Sequence, residues 1–220
     1  MATVDQLIAR FRATTCDVTA PYLFADPDVI LWLDEAQEQA CIRGRLLRVA
    51  DEPAMCQIQL EPGRAVYPLH SALYELIHLA YRADGSRRLE LRLVSPEWLD
   101  DRVRDWRDLS GTPQYVIQND TSLRLAPTPD ESGMLLIEGY RLAETLSDAQ
   151  QIPEINRAHH VALIDWALYR AYSRPDSDTL DLERAALHER AFTAYFGANP
   201  GSDLRRTTRE DLDHHNKAYI

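Results

Sequence analysis

Residues 26–49 read DPDVILWLDEAQEQACIRGRLLRV, and the fold turns on how far a helix runs through them. Asp26-Pro27 is a strong helix start, an acidic N-cap followed by a proline whose missing N–H costs nothing in the first turn. Val29, Leu33, Ala36, Ala40 and Leu47 recur at helical spacing and form one apolar face. Asp34, Glu35, Glu38 and Arg45 populate the other. Gly44 weakens the middle by about 1 kcal/mol relative to alanine, and Asp51-Glu52-Pro53 ends the element. The spacing predicts one long amphipathic helix over 26–49.

A second stretch of the same kind, IPEINRAHHVALIDWALYRAY, covers 152–172. Pro153 opens it, Ile155, Val161, Ile164, Leu168 and Tyr172 supply the apolar stripe, and Pro175 breaks it. Thr179 to Phe196 predicts a further helix ending at Gly197, and Thr3 with Gln6 forms a capping box for a short helix through Arg12.

Between these helical regions the chain reads largely as strands and turns. Glu61-Pro62-Gly63-Arg64 is a turn signal between two short strands. Asp84-Gly85 marks a hairpin, after which Leu89, Leu91 and Leu93 alternate. Ser95-Pro96-Glu97 opens a short helix with Trp98, Leu99, Val103 and Trp106 as its apolar candidates. Tyr115–Ile117 and Leu123–Leu125 follow as strands joined around Asn119-Asp120, then Met134–Arg141. The expected fold is α+β: a helical bundle of long amphipathic helices with an inserted small antiparallel β domain and an extended C-terminal tail. The corresponding boundaries are 1–54 for the N-terminal helices of the bundle, 55–147 for the insert with a short helix near 96–107, 148–197 for the C-terminal helices, and 198–220 for the tail. The tail is polar with scattered charges, a composition that buries too little surface to order itself.

Composition excludes several function classes. The net charge is −11, and residues 51–150 carry seventeen acids against ten bases. A sequence-nonspecific DNA binder needs the opposite balance, because phosphate neutralisation dominates its affinity. No apolar run approaches the roughly 18 residues that span a membrane, and MATVDQLIARF lacks the basic-then-apolar order of a secretory signal. Synthesis in a reducing cytoplasm is expected. Cys16, Cys41 and Cys56 are widely spaced and form neither a CxxC pair nor a metal-ligand spacing.

No P-loop, GxGxxG, GxSxG or HExxH motif occurs. His159 and His160 are adjacent on an expected helix and so point about 100° apart, which is wrong for joint metal ligation with Asp165. His214-His215 falls in the tail. Asp100-Asp101 and Asp130-Glu131 are paired carboxylates with no sign of the burial that tunes a general acid. Trp98 and Trp106, with Arg102 and Arg104 between them, have the aromatic and cationic content of a nucleic-acid platform. Asp100, Asp101, Asp105 and Asp108 cancel that charge, so packing of the tryptophans onto the β region is the expected role. No catalytic residue, cofactor or metal site is expected.

The order of segments DEAQEQACIRGRLL (34–47), PGRAVYPL (62–69), RLELRLVSPEWLDDRVRDW (88–106), GTPQYVIQNDTSLRLAPTPD (111–130), LLIEGYRLAETLSD (135–148) and IPEINRAHHVALIDWALYRAY (152–172) resembles the tailed-bacteriophage head-to-tail adaptor, or connector, family. The resemblance covers roughly residues 26–196 and lies in the order of loose motifs. It implies a non-enzymatic virion protein in the neck, a dodecameric homo-oligomer ring beneath the portal protein. The ring would contact tail or nozzle proteins below, with no membrane partner, and genomic DNA would pass through without sequence-specific binding. In such adaptors a C-terminal segment grips the portal or a neighbouring subunit. By position this implies interface roles for Leu204, Arg205, Arg206, Arg209, Leu212, Tyr219 and Ile220. The alternatives are a tail-associated cell-wall hydrolase or other small phage enzyme, which needs an acid and a nucleophile or base in a cleft, and a DNA-associated regulator.

Overall fold

The structure, a computed structural model, describes residues 2–83, 87–175 and 179–200. In chain order its elements are α1 (Val4–Thr15), α2 (Asp26–Gly44), β1 (Arg48–Val49), α3 (Pro53–Cys56), β2 (Gln57–Leu60), β3 (Val66–Pro68), β4 (Leu73–Ala83), β5 (Leu89–Leu93), α4 (Pro96–Arg102), β6 (Tyr115–Gln118), β7 (Ser122–Ala126), β8 (Gly133–Arg141), a 3-10 segment Arg157–Ala162, α5 (Leu163–Tyr172) and α6 (Leu182–Phe196). They fall into two compact units, a helical one formed by Met1–Leu47 with Leu142–Asn199 and a β-rich one formed by Arg48–Arg141.

The expected bundle of long amphipathic helices around a small antiparallel insert is not what forms. The described residues hold six short α-helices and a curled eight-stranded sheet. Two local events shorten the helices. α2 stops at Gly44, because Arg45 adopts a left-handed conformation (φ 50, ψ 49) and Arg48–Val49 leave to pair with β8. The 152–172 stretch is split: Glu154 donates its backbone N–H to Gln37 Oε1 (2.7 Å), Asn156 caps the 3-10 segment, and only Leu163–Tyr172 is α-helical. Tertiary hydrogen bonds outcompete the next helical turn in both places, which periodicity alone cannot register.

In the helical unit, the capping box is present: Thr3 accepts from the Gln6 N–H and Gln6 accepts from the Thr3 N–H. Leu7, Phe11, Leu33, Leu163 and Phe192 are buried together. The α1–α2 connector is held by Arg12, which is buried although charged. Its guanidinium donates to Asp17 (2.8 Å), to the Phe24 carbonyl (3.0 Å) and to Asp26, and lies over the Tyr22 ring. Asp17 in turn accepts from the N–H groups of Leu23 and Phe24. The fully buried Gln37 ties α2 to the returning chain, donating to the Glu144 carbonyl (3.0 Å) and accepting from Glu154, while Asp34 accepts from the Leu146 N–H.

Burial raises the Asp34 carboxyl above the usual range despite its bond from Leu146, and burial followed by repulsion from Asp34 and Glu35 raises Glu38. The folded chain then binds these protons more tightly than the unfolded chain, so this contribution to stability falls as pH rises from the unfolded carboxylate value through the raised one. Glu38→Gln is expected to stabilise the helical unit at pH 7 by about 0.5 kcal/mol, the size of a partly screened charge interaction. The gain should vanish near pH 3, where Glu38 is protonated in both states. Urea midpoints at the two pH values measure it; an equal shift at both would remove the electrostatic cause.

In the β-rich unit the strand order is β1-β8-β4-β5-β6-β7-β3, with β2 also on β8. All pairs are antiparallel except β5–β6. The turn at Glu61–Arg64 forms, with the Arg64 N–H donating to the Glu61 carbonyl and Gly63 at φ 78. Its two strands nevertheless pair elsewhere, β2 with β8 and β3 with β7. This curls the sheet around an interior of Leu60, Tyr67, Leu79, Val116, Leu125 and Ile137. The β4–β5 hairpin pairs Tyr81 with Leu89, while its turn residues 84–86 lie outside the described residues.

Candidate docking site on the β-rich unit

β6 and β7 have two buried faces, so their side chains divide by the period-two rule. Val116, Leu123 and Leu125 enter the curled interior, whereas Ile117 and Ala126 face a separate cluster with Val94, Leu99 and Trp106. α4 brings this cluster together. Ser95 Oγ accepts from the Trp98 N–H as N-cap, and Leu99 is buried. The helix ends at Arg102, and Asp105 takes a left-handed conformation (φ 51). That reversal turns Trp106 under the helix. The expectation that Trp98 and Trp106 are apolar positions of one short helix is therefore corrected, because α4 ends before Trp106, although both pack onto the β-rich region.

Trp106 is 5% exposed and its indole N–H donates to Asp100 Oδ1 (2.8 Å). Arg107 binds both oxygens of the same carboxylate and lies 4.3 Å over the Trp106 ring. Those bonds, from Arg107 first and Trp106 second, hold Asp100 below the usual carboxylate range. Arg124 lies over the same indole at 5.3 Å. Trp98 packs on Tyr115 (5.4 Å) and carries Arg92 and Arg102 over its ring at 4.7 and 4.9 Å. Between Trp106 and Tyr115 opens a cavity of about 170 Å³, lined also by Val103, Leu109, Gln114, Ala126 and Pro127. Tryptophan, tyrosine and arginine around an apolar pocket are the residues that dominate protein–protein binding energy.

The other expected candidates do not assemble into a reactive group. His160 is buried on the Ile155 carbonyl (2.9 Å), and His159 contacts the Tyr195 hydroxyl (3.2 Å). Asp165 pairs instead with His188 (2.9 Å), a partner that its sequence distance concealed, and Tyr172 stacks on that imidazole. Asp130 and Glu131 are exposed. Among the described residues no three His, Cys, Asp or Glu side chains are grouped to hold a metal, and no helix is long and apolar enough to cross a membrane. Leu204, Arg205, Arg206, Arg209, Leu212, Tyr219 and Ile220, with His214 and His215, lie outside the described residues. Arg124 and Gln114 were missed by sequence reading. The signal for Arg124 was its alternation with Ala126 on a strand whose other positions are all apolar or small.

Compared with known families, the chain is matched over residues 2–213 by the model described as SU10 adaptor protein. No curated protein matches it.

Proposed function

The chain belongs to the SU10 adaptor protein family, and from that premise we propose that it is a structural protein of a tailed bacteriophage virion, a head-to-tail adaptor in the neck. The observation that carries this reading is the span of the match, which takes in both structural units. In this reading copies of the chain form a dodecameric ring beneath the portal protein and continue the channel through which the genome passes. The ring meets tail or nozzle proteins on its other side. The work is mechanical rather than catalytic.

Two features support the assignment. The excess of acid over base disfavours adhesion of passing DNA. Residues 198–220 carry four acids and four bases with an apolar Tyr219-Ile220, a composition suited to docking on a partner. Leu204, Arg205, Arg206, Arg209, Leu212, Tyr219 and Ile220 are the proposed contacts to the portal or a neighbouring subunit.

Electron microscopy of the purified chain with and without portal protein tests the reading. Closed rings that form on the portal are expected; a chain that stays monomeric in its presence would refute the adaptor role. Deleting residues 204–220 should weaken portal binding at least tenfold and leave the urea transition unchanged. Unchanged affinity would remove the tail from the interface.

A further inference from the structure

We propose that the cavity between Trp106 and Tyr115 is a docking pocket for a segment of a partner protein in which one aliphatic side chain is flanked by carboxylates. The inference deepens the adaptor reading by assigning the β-rich unit a contact of its own. It rests on that reading only for the partner being a protein.

Size and lining come first. An apolar cavity of roughly 150 Å³ is enough to admit benzene, so about 170 Å³ between Trp106, Tyr115, Ala126 and Pro127 accepts one leucine-sized group. Leu109 stands at this pocket 40% exposed, which is apolar surface that an incoming side chain would cover.

Charge supplies the second requirement. Arg124 has no carboxylate partner among the described residues. Among the described residues its Nε is buried without an acceptor, and its guanidinium makes one long hydrogen bond, to the Arg107 carbonyl (3.5 Å). Arg102 likewise has no ion pair among the described residues and rests on the Trp98 ring. Neither guanidinium lines the pocket itself: Arg124 lies over Trp106, which does, and Arg102 lies over Trp98, which packs on the lining Tyr115. A planar guanidinium held on an aromatic ring is preorganised to receive a carboxylate. Arg107 and Arg104 are already engaged, with Asp100 and Asp105.

Nucleic acid fits less well. Trp106 is sealed beneath Arg107 and Arg124 and offers no face for a base. Asp100, Asp101, Asp105 and Asp108 would repel a continuous run of phosphates more strongly than one or two carboxylates, because the repulsion grows with the number of charges.

The test uses the full chain and a synthetic peptide, acetyl-Gly-Ser-Glu-Leu-Asp-Ser-Gly-amide, followed through the tryptophan indole N–H signals by NMR. The expected result is saturable shifts of the Trp98 and Trp106 signals, with a dissociation constant of about 1 mM or tighter. Replacing Glu and Asp of the peptide by Gln and Asn, or its Leu by Ser, should weaken binding at least tenfold. Arg124→Gln should do the same; if that variant fails to fold, Arg102→Gln on the exposed side of α4 serves instead. Equal binding of the neutral peptide, no binding of the acidic one, or preference for a 12-nucleotide oligo-dT would each overturn the proposal. None of these outcomes bears on whether rings form on the portal, so the two readings fail separately.

Discussion

Arg12→Met is expected to destabilise the helical unit by about 3–5 kcal/mol, the cost of breaking a buried ion pair from one side. The arginine and Asp17 side chains are each under a tenth exposed. Methionine keeps the apolar stem but withdraws the donors that reach Asp17, Asp26 and the Phe24 carbonyl. Asp17 keeps the two backbone N–H groups of Leu23 and Phe24, yet remains a carboxylate out of water with no cation. The connector that carries Phe24 into the core then loses its anchor. Arg12→Met combined with Asp17→Asn should recover part of the loss, because an uncompensated charge costs more than an absent pair. Urea denaturation measures the energies, and hydrogen exchange over 16–25 reports the connector. A single variant within 1 kcal/mol of the parent would mean that the network contributes little beyond geometry.

Gly139→Val is the second large effect, and it acts on the β-rich unit. Gly139 sits on β8 opposite Leu76 of β4 on one side and Val49 of β1 on the other. A Cβ built there falls 2.6 Å from the Glu75 carbonyl oxygen, a backbone atom that cannot swing away. The β4–β8 ladder already shifts register on either side of this point, between Leu73 and Glu75 and between Leu76 and His78. Overpacking of this kind typically costs 1–3 kcal/mol. Gly139→Ala should lie within about that range, and valine, with two further methyls, above its upper end. Gly44 is the contrast. Its added Cβ meets only the Leu46 side chain, which has other rotamers, so Gly44→Ala should cost little. Urea transitions of the three variants check the order, and a Gly139→Ala as stable as the parent would show that β4 yields there.

Local signals carried well where the deciding contacts lie within a few residues. The Thr3–Gln6 box, Pro27 in the first turn of α2, the Ser95 cap with Pro96, and Gly197 closing α6 all act over one helical turn. The strands around Asn119-Asp120 pair as read, Ile117 with Arg124. Failures came where a remote partner decided. Residues 45–49 continue the helical pattern of 26–44, but Arg48 pairs with Tyr140, and a distant strand overrides local propensity. Gln37 likewise claims the backbone of Glu154 and keeps it out of a helix.

At the candidate site, the sequence identified Trp98 and Trp106, with Arg102 and Arg104 between them, as a group and packing of the tryptophans as the expected role. It could not supply Tyr115 at the pocket or Arg124 over Trp106, which meet there only because β6 and β7 pair and turn one face towards α4. By itself the sequence determined the alternation of helical and extended segments, several of their caps though not an Asp26 N-cap (Ala25 holds that place without a side-chain bond), and the ordered motifs that resemble the adaptor family. Those properties are written in short windows of backbone preference and side-chain periodicity. The tertiary structure alone decided where the long helices break, that the β segments join in one curled sheet, and which residues line a cavity. Each depends on groups tens of residues apart, such as Gln57 with Leu136 or Val66 with Arg124, whose meeting is set by burial and hydrogen bonding across the whole unit rather than by any local stretch.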